Sequence, residues 1–349
     1  MNKNMGAKLL IAGCCIGAGM LGIPVMTGSI GFIPSSVLFL LAWAYMALTG
    51  LVLLELVLSF QGAPVNLMTM AQETLGKCAK GVTFLLFTFL FYAVMIAYFI
   101  AGGVLIKDGV LLIGGIDISV SAATILMAVV LLITICKGVS SVDLFNRVIM
   151  GGLLLSYVFL LYFGMAHVNI SFLETFQFKG ALAAIPIMIL SFGFHNLVPS
   201  LSSYLNYDKK ALVRAIVCGS IVPLVLYLFW EFVILGIVSQ QDISWAQARD
   251  QGEIVTEVLA RACQSDLVVH CVRTFAFFSI ATSLLPVALS CVDFLKDAFH
   301  LKNEAFQRVG ISLCVVLPPL VIALTSPTLF LRALSYAGGI LATLLFGTL

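Results

Sequence analysis

Three ionisable side chains of this 349-residue chain stand in apolar surroundings: Glu55, Glu231 and His195 each interrupt a run of hydrophobic residues. A carboxyl removed from water favours its neutral form, and an imidazole exchanges its proton near neutral pH. Both chemistries suit a group that takes up and releases a proton. Each residue also has a plainer reading, in which it ties down freed backbone groups. Around His195 the chain reads Ser191-Phe192-Gly193-Phe194-His195-Asn196, with Pro199 following. Similar punctuation stands near the N-terminus, where Pro24 follows Gly17-Ala18-Gly19-Met20-Leu21-Gly22. Glycine and proline inside a helix weaken it and release peptide groups from the hydrogen-bond ladder. Bare N–H groups at a half-helix N-terminus bind a carboxylate, and bare carbonyls accept from an ammonium.

The elements that position these residues follow from composition. Hydrophobic residues make up 62% of the chain and charged residues 10%, against roughly 25% charged in a soluble domain. A globule cannot bury that much apolar surface, so the solvent for most of it is lipid. About 20 apolar residues cross the hydrocarbon core as a helix. Ten such spans are expected, at approximately 8–31, 34–60, 82–106, 118–136, 148–168, 180–205, 212–238, 268–291, 307–325 and 329–349. Residues 61–80 predict a short amphipathic helix capped by Asn66 and ending near Gly76, and the polar stretch 239–267 predicts a surface loop with a short helix. Nine cysteines are scattered without a CxxC pair and read as small hydrophobes; only Cys263 and Cys271 fall close enough along one loop to pair. The start resembles a signal peptide, yet it runs into further membrane rather than a polar mature chain. Of the 18 Lys and Arg, six (Lys107, Lys179, Arg249, Arg261, Arg273 and Arg332) fall opposite the N-terminus and the other twelve on its side. That bias places the N-terminus in the cytoplasm. A net charge of +2 and the lack of a basic cluster give no sign of a nucleic-acid partner.

The two punctuated segments fall in spans one and six. Gly19 precedes Pro24 by five residues and Gly193 precedes Pro199 by six; Glu55 follows Gly19 by 36 and Glu231 follows Gly193 by 38. Spans one to five therefore match spans six to ten, and five being odd, the halves cross in opposite senses. Broken helices at equivalent places in inverted halves point to a secondary transporter's binding site. Glycines that merely allow close helix packing explain the paired prolines and acids less well. A channel would show a filter or a continuous polar pore, and an enzyme would show a nucleophile–base pair or a metal motif; the sequence shows neither.

Specific motifs sharpen the expectation. Ile16-Gly17-Ala18-Gly19-Met20-Leu21-Gly22-Ile23-Pro24 resembles the first-helix motif of the hydroxy and aromatic amino acid permeases, and Ser191-Phe192-Gly193-Phe194-His195-Asn196-Leu197-Val198-Pro199-Ser200-Leu201 resembles the sixth. Ile280-Ala281-Thr282-Ser283-Leu284-Leu285, with Asp293-Phe294-Leu295 and Asp297 following, resembles the eighth-helix region. The resemblance covers the whole chain and lies closest to the tyrosine- and tryptophan-specific bacterial branch. It implies an all-α polytopic membrane protein, a single transmembrane transporter domain over 1–349. The implied fold is a five-plus-five inverted repeat, with halves at approximately 8–168 and 180–349 and discontinuous first and sixth helices. Family members carry an eleventh span, so a missing C-terminal helix is expected.

The implied function is uptake of an aromatic amino acid, tyrosine first and tryptophan second, across a bacterial inner membrane by proton symport, with no cofactor, no metal and no enzymatic step. Its expected binding residues are Gly17, Ala18, Gly19, Met20, Phe192, Gly193, Phe194, His195 and Asn196, with Tyr92 and Tyr98 as candidate walls. Its expected ion-coupling residues are Glu55, Glu231, His195, Thr282 and Ser283. The last two resemble a hydroxyl pair that holds sodium in related transporters, so sodium coupling is one alternative, and a non-transporting sensor on the same fold is another.

Overall fold

The computed structural model describes residues 3–17, 19–60, 67–137, 139–238, 244–263, 265–299 and 305–347, and among these all regular structure is helical. Nine described helices, or ten with one bent pair counted as a single span, are long and apolar enough to cross a membrane. The bent pair is the expected first span: α1 (Lys3–Cys15) and α2 (Gly19–Thr27) are inclined by 52°. Next come α3 (Phe32–Ser59), the short α4 (Leu67–Leu75), α5 (Lys77–Gly114), α6 (Val120–Lys137) and α7 (Val139–Met165). The expected amphipathic helix is α4, ending before Gly76; its expected cap, Asn66, lies outside the described residues. The 38 residues of α5 extend about 57 Å, well beyond the roughly 30 Å hydrocarbon core.

The second half opens with the other broken span. Helix α8 (Ala181–Ser191) stops, a 3₁₀ turn follows at His195–Leu197, and α9 (Val198–Tyr204) completes the crossing. Helix α10 (Lys209–Ile237) is continuous. The expected single short helix after it is in fact two, α11 (Trp245–Gln251) and α12 (Val255–Ala262). Helices α13 (Asp266–Ala298) and α14 (Ala305–Thr325) then cross, and the last span is α15 (Phe330–Tyr336), a π-helical turn over Ala337–Ala342 and α16 (Thr343–Gly347).

Side-chain exposure shows which solvent the bundle is built for. On α3, Leu48 and Val52 are 64% and 67% exposed, and on α10 Val222, Val225 and Phe229 face outward. Water would penalise these surfaces; hydrocarbon does not. Between helices, small residues set the approach. At Gly219 of α10 an added Cβ would stand 2.9 Å from the Lys8 carbonyl and 2.9 Å from Ile11 Cβ, so α1 lies directly on the α10 backbone.

One expectation fails. Glu55 is not a buried counterpart of Glu231. It lies on the outward stripe Leu48–Val52–Glu55 of α3 and pairs with Lys209 at 2.5 Å, the two side chains being 58% and 57% exposed. The helix continues past the apolar zone, and the stripe that meets lipid higher up meets water there. Such an exposed pair stabilises little. Cys263 and Cys271 are free thiols.

On the face opposite the N-terminus, α11 and α12 lie over the end of α2. The Trp245 ring, 4% exposed, rests on Gly28, where any Cβ would collide with it. The Ser244 hydroxyl caps α11 by accepting from Gln247 N–H at 3.3 Å, and Glu257 accepts from Ile254 N–H at 3.0 Å. Arg261 clasps Glu253 through two bonds of 2.6 and 2.5 Å. Burial pushes the Glu257 carboxyl above its ordinary range. Replacing Gly28 with Val is expected to lift Trp245 off α2. Purified variant should show a red-shifted tryptophan emission and a Tm several degrees lower in detergent, since cavity and strain terms at a core contact reach about 1–3 kcal/mol.

Candidate functional site

Ending α1 at Cys15 strands carbonyls in the middle of the bilayer, and other helices satisfy them. The Cys15 carbonyl accepts from the Tyr227 hydroxyl at 2.6 Å and the Ile16 carbonyl from the Ser283 hydroxyl at 2.7 Å. The Gly17 carbonyl accepts from the Ser279 hydroxyl at 3.2 Å and from Met20 N–H at 3.1 Å. The Met20 carbonyl accepts from the Trp230 indole at 2.6 Å. Tyr227 and Trp230 sit three apart on α10, and Ser279 and Ser283 four apart on α13, so each helix turns one face toward the break. Ammonium recognition by the span-one carbonyls, an expectation from sequence, thus meets competition from four protein donors.

The second break is different. Phe192, Gly193, Phe194 and Leu197 N–H groups close local turns onto Ile189, Leu190, Phe192 and Phe194 carbonyls. Among the described residues, the Gly193 carbonyl accepts from the Cys14 thiol at 3.5 Å, and the same sulfur lies 3.9 Å from Asn196 Oδ1. A thiol is a weak donor. Two good acceptors therefore stand together with little to accept.

A cavity of about 100 Å³ lies between the breaks. Gly17, Gly19, Ser191, Gly193, Asn196 and Cys14 form its polar side; Phe87, Phe91, Val94 and Tyr98 of α5, with Val287 and Leu334, form the apolar side. Gly19, the first residue of α2, lines the same cavity as Gly193, so the positive end of the α2 dipole lies at the break, with Met20 N–H engaged by the Gly17 carbonyl. One end of a zwitterion is thus met by the positive end of that dipole, the other by carbonyl oxygens. A larger cavity of about 860 Å³ runs between α5, α6 and α13. Its walls are almost wholly aliphatic and phenyl, with the Asp108–Arg273 pair (3.2 Å) at one end, so it offers no paired cradle for a zwitterion.

The profile of the tryptophan/tyrosine permease family matches residues 1–349. The chain belongs to that family. Among curated relatives, the tyrosine-specific transport system 1 of Haemophilus influenzae is 31% identical over 347 residues, 98% of this chain and 85% of that one. Its tyrosine-specific transport system 2 is 32% identical, covering 97% and 84%. A tryptophan-specific transport protein of Pseudomonas aeruginosa is 28% identical, covering 96% and 82%. Among solved structures, MhsT in complex with L-phenylalanine superposes with a TM-score of 0.71 at 14% identity, over 98% of this chain and 87% of that one. Mhp1, a nucleobase-cation-symport-1 family transporter in a closed conformation with bromovinylhydantoin bound, gives 0.63 at 15% identity, over 98% and 77%. The fold is thus the five-plus-five transporter fold with broken first and sixth helices, in a multi-pass membrane protein of bacterial permease type rather than an enzyme.

In this permease the structure sorts the expected residues. Gly17, Gly19, Gly193 and Asn196 line the cavity, and Tyr98 joins them. Ala18 lies outside the described residues. Met20 and Phe192 stand just behind the wall: Met20 through its carbonyl bond to Trp230, Phe192 packed edge-on against Tyr227 at 5.6 Å between ring centres. Phe194 and His195 turn the other way. The Phe194 ring occupies the space left by Gly50 on α3 and stacks on His195 at 4.9 Å, while His195 Nε2 meets the Thr49 hydroxyl at 2.9 Å. Both are fully buried, against α3. Tyr92 donates to the Cys314 carbonyl at 2.6 Å and faces α14. Thr282 and Ser283 part company: Thr282 bonds its own helix at Ser279 (3.0 Å), and Ser283 reaches span one. Glu231 lies apart, buried on α10 beside Thr27. Cys14, Ser191, Tyr227, Trp230 and Ser279 are site residues that motif reading passes over.

Two substitutions probe this geometry. At Gly19 a Cβ would overlap the Ser191 hydroxyl and approach Tyr227 Oη to 3.3 Å; Gly19→Leu should insert normally and abolish uptake. Asn196→Leu should raise KM roughly 5- to 150-fold, the loss of one charge-assisted hydrogen bond worth about 1–3 kcal/mol, with protein abundance in the membrane unchanged.

Proposed function

We propose that this permease imports an aromatic amino acid, tyrosine in preference to tryptophan, by proton symport across the inner membrane of a bacterium, with its N-terminus in the cytoplasm. The observation that carries this reading is the cavity between two snapped helices, lined by Gly17 and Gly19 of the first break, by Gly193 and Asn196 of the second, and by the phenyl rings of Phe87 and Phe91. The carboxylate belongs at the α2 N-terminus, the ammonium at Gly193 O and Asn196 Oδ1, and the ring among Phe87, Phe91, Val94 and Val287. At about 100 Å³ the cavity is tighter than the roughly 300–1,000 Å³ of typical ligand pockets. Substrate entry therefore requires the broken helices to rock away from α5 and α13, as alternating access demands.

The outer side is shut. Trp245 seals Gly28, and Leu331 and Leu334 pack on Gly22 of α2. Closure there and a single central site are what a carrier, unlike a pore, presents between half-cycles. Tyrosine preference is supported by two tyrosine-specific transport systems at 31% and 32% identity, against 28% for the tryptophan-specific transport protein of Pseudomonas aeruginosa. Proton coupling is what the resemblance of the span-one and span-six motifs to the hydroxy and aromatic amino acid permeases implies.

Radiolabelled tyrosine and tryptophan uptake into proteoliposomes, with pH and sodium gradients imposed separately, tests the reading. Accumulation is expected under an inward proton gradient without sodium, and tyrosine should compete better than tryptophan. Accumulation driven only by sodium would move the protein to the sodium-coupled alternative. Binding without any transport would make it a sensor.

A further inference from the structure

On the outer half of the molecule stands a buried acid that the substrate cavity does not use. Glu231 of α10 has no measurable exposure. Its Oε1 is hydrogen-bonded to the Thr27 hydroxyl at the end of α2, and its Oε2 has no hydrogen-bond partner. Among the described residues, the Ser35 hydroxyl of α3 also lies beside it. No charged group answers it. Among the described residues, the helices packed on α10 bring no Lys, Arg or His against Glu231. Lys3 and Lys8 of α1 lie at the opposite end of the bundle, Glu257 of α12 interacts with Glu253, Asp108 and Arg261 instead, and Tyr227 is spent on the Cys15 carbonyl. On α7 and the 3₁₀ turn Ile170–Glu174, no described group forms an ion pair or hydrogen bond with it.

Two proton arrangements fit the contacts of this carboxyl, and they differ in cost. Thr27 Oγ1 lies 2.8 Å from the Ile23 carbonyl and Ser35 Oγ lies 2.6 Å from the Gly31 carbonyl. Each hydroxyl has one hydrogen. With both given to their own backbones, Thr27 and Ser35 show only lone pairs to the carboxyl, and the contact with Oε1 is attractive only if the carboxyl supplies the hydrogen. The rival arrangement turns both hydroxyls toward an ionised Glu231. It leaves a full charge in a low-dielectric interior with two neutral donors and no cation, which is the costly case for a buried ion.

We infer that Glu231 is the proton-binding site of this carrier, loaded when α2 closes, with Thr27 as the acceptor that reports its state to the first broken helix. This rests on the symport reading above and goes beyond it by naming the group and its partner. When α2 swings outward, Glu231 meets the outer aqueous side and its carboxylate oxygen takes a proton from water. The hydroxyl of Thr27 then turns to Ile23, the acid donates to Thr27, and α2 seats against α10 without burying a charge. An ionised Glu231 resists that closure. Uptake therefore rises as external pH falls. The proton and the amino acid occupy opposite ends of α2, so neither displaces the other.

The test uses full-length protein in proteoliposomes, with substrate binding to purified protein measured in parallel across pH. Wild type sets the frame: if it accumulates no aromatic amino acid under a proton gradient, the symport reading fails on its own account. Given proton-driven wild-type uptake, a gradient of one pH unit holds about tenfold accumulation per coupled proton. Glu231→Gln, a permanent mimic of the loaded acid, should bring that ratio to about one, leave exchange at equal pH measurable, and flatten the pH dependence of binding. Thr27→Val should shift the pH profile while Thr27→Ser restores it; this pair decides the matter if Glu231→Gln fails to insert. Wild-type accumulation by Glu231→Gln, or an unmoved pH profile in Thr27→Val, would overturn the assignment.

Discussion

In hydrocarbon, a peptide N–H or carbonyl without a partner costs several kcal/mol, and the arrangement of this bundle follows from that cost. Two of its spans stop halfway, at Cys15 and Ser191, and each stop exposes groups that an intact helix would have paired. The first break is held by donors from outside it, with Tyr227 and Trp230 reaching from α10 and Ser279 and Ser283 from α13. Those bonds do two things at once. They make the break affordable, and they fix α10 and α13 as the frame against which α1 and α2 are placed. On the reading proposed above, the N-terminal end of α2 and the Gly193 carbonyl, which has a weak thiol donor, form the recognition surface.

The same accounting separates residues that look alike in sequence. Phe192 and Phe194 flank one glycine, yet they turn opposite ways because the backbone between them is not helical; Phe194 fills the notch at Gly50 and Phe192 backs Tyr227. His195, the most reactive side chain of the motif, is drawn to Thr49 and braces the second break on α3. Glu55 and Glu231 likewise share a place in the repeat and differ in environment, since one is exposed and paired with Lys209 and the other is buried beside Thr27 and Ser35.

The sequence made the breaks legible because glycine and proline act locally, through φ and the missing N–H. Span number, the far-face helices and the α4 helix were readable for the same reason: each depends on nearest neighbours or on apolar run length. The donors to the break were not readable. Tyr227, Trp230, Ser279 and Ser283 are more than 200 residues away from Cys15–Met20, and a hydroxyl or indole inside an apolar run carries no mark of the carbonyl it will meet. Their spacing was the available signal, i and i+3 on α10 and i and i+4 on α13. Single residues at that spacing also occur wherever two helices merely pack.

Coupling two ligands requires one body that both of them grip. Helix α2 is that body. Its nine residues span about 13 Å, short enough to move as a rigid rod once the break at Gly17–Gly19 frees one end. On the reading proposed above, the substrate carboxylate sits at its N-terminus, while the Thr27–Glu231 bond holds its C-terminus. A charge left at either end opposes seating: an empty N-terminus leaves amides bare toward the cavity, and an ionised Glu231 leaves a carboxylate buried. Only the doubly loaded and the fully released forms avoid a penalty on both counts, the second because α2 then stands away from α10. On the proposed reading, stoichiometric coupling follows from that pairing of costs, with no direct contact between proton and amino acid.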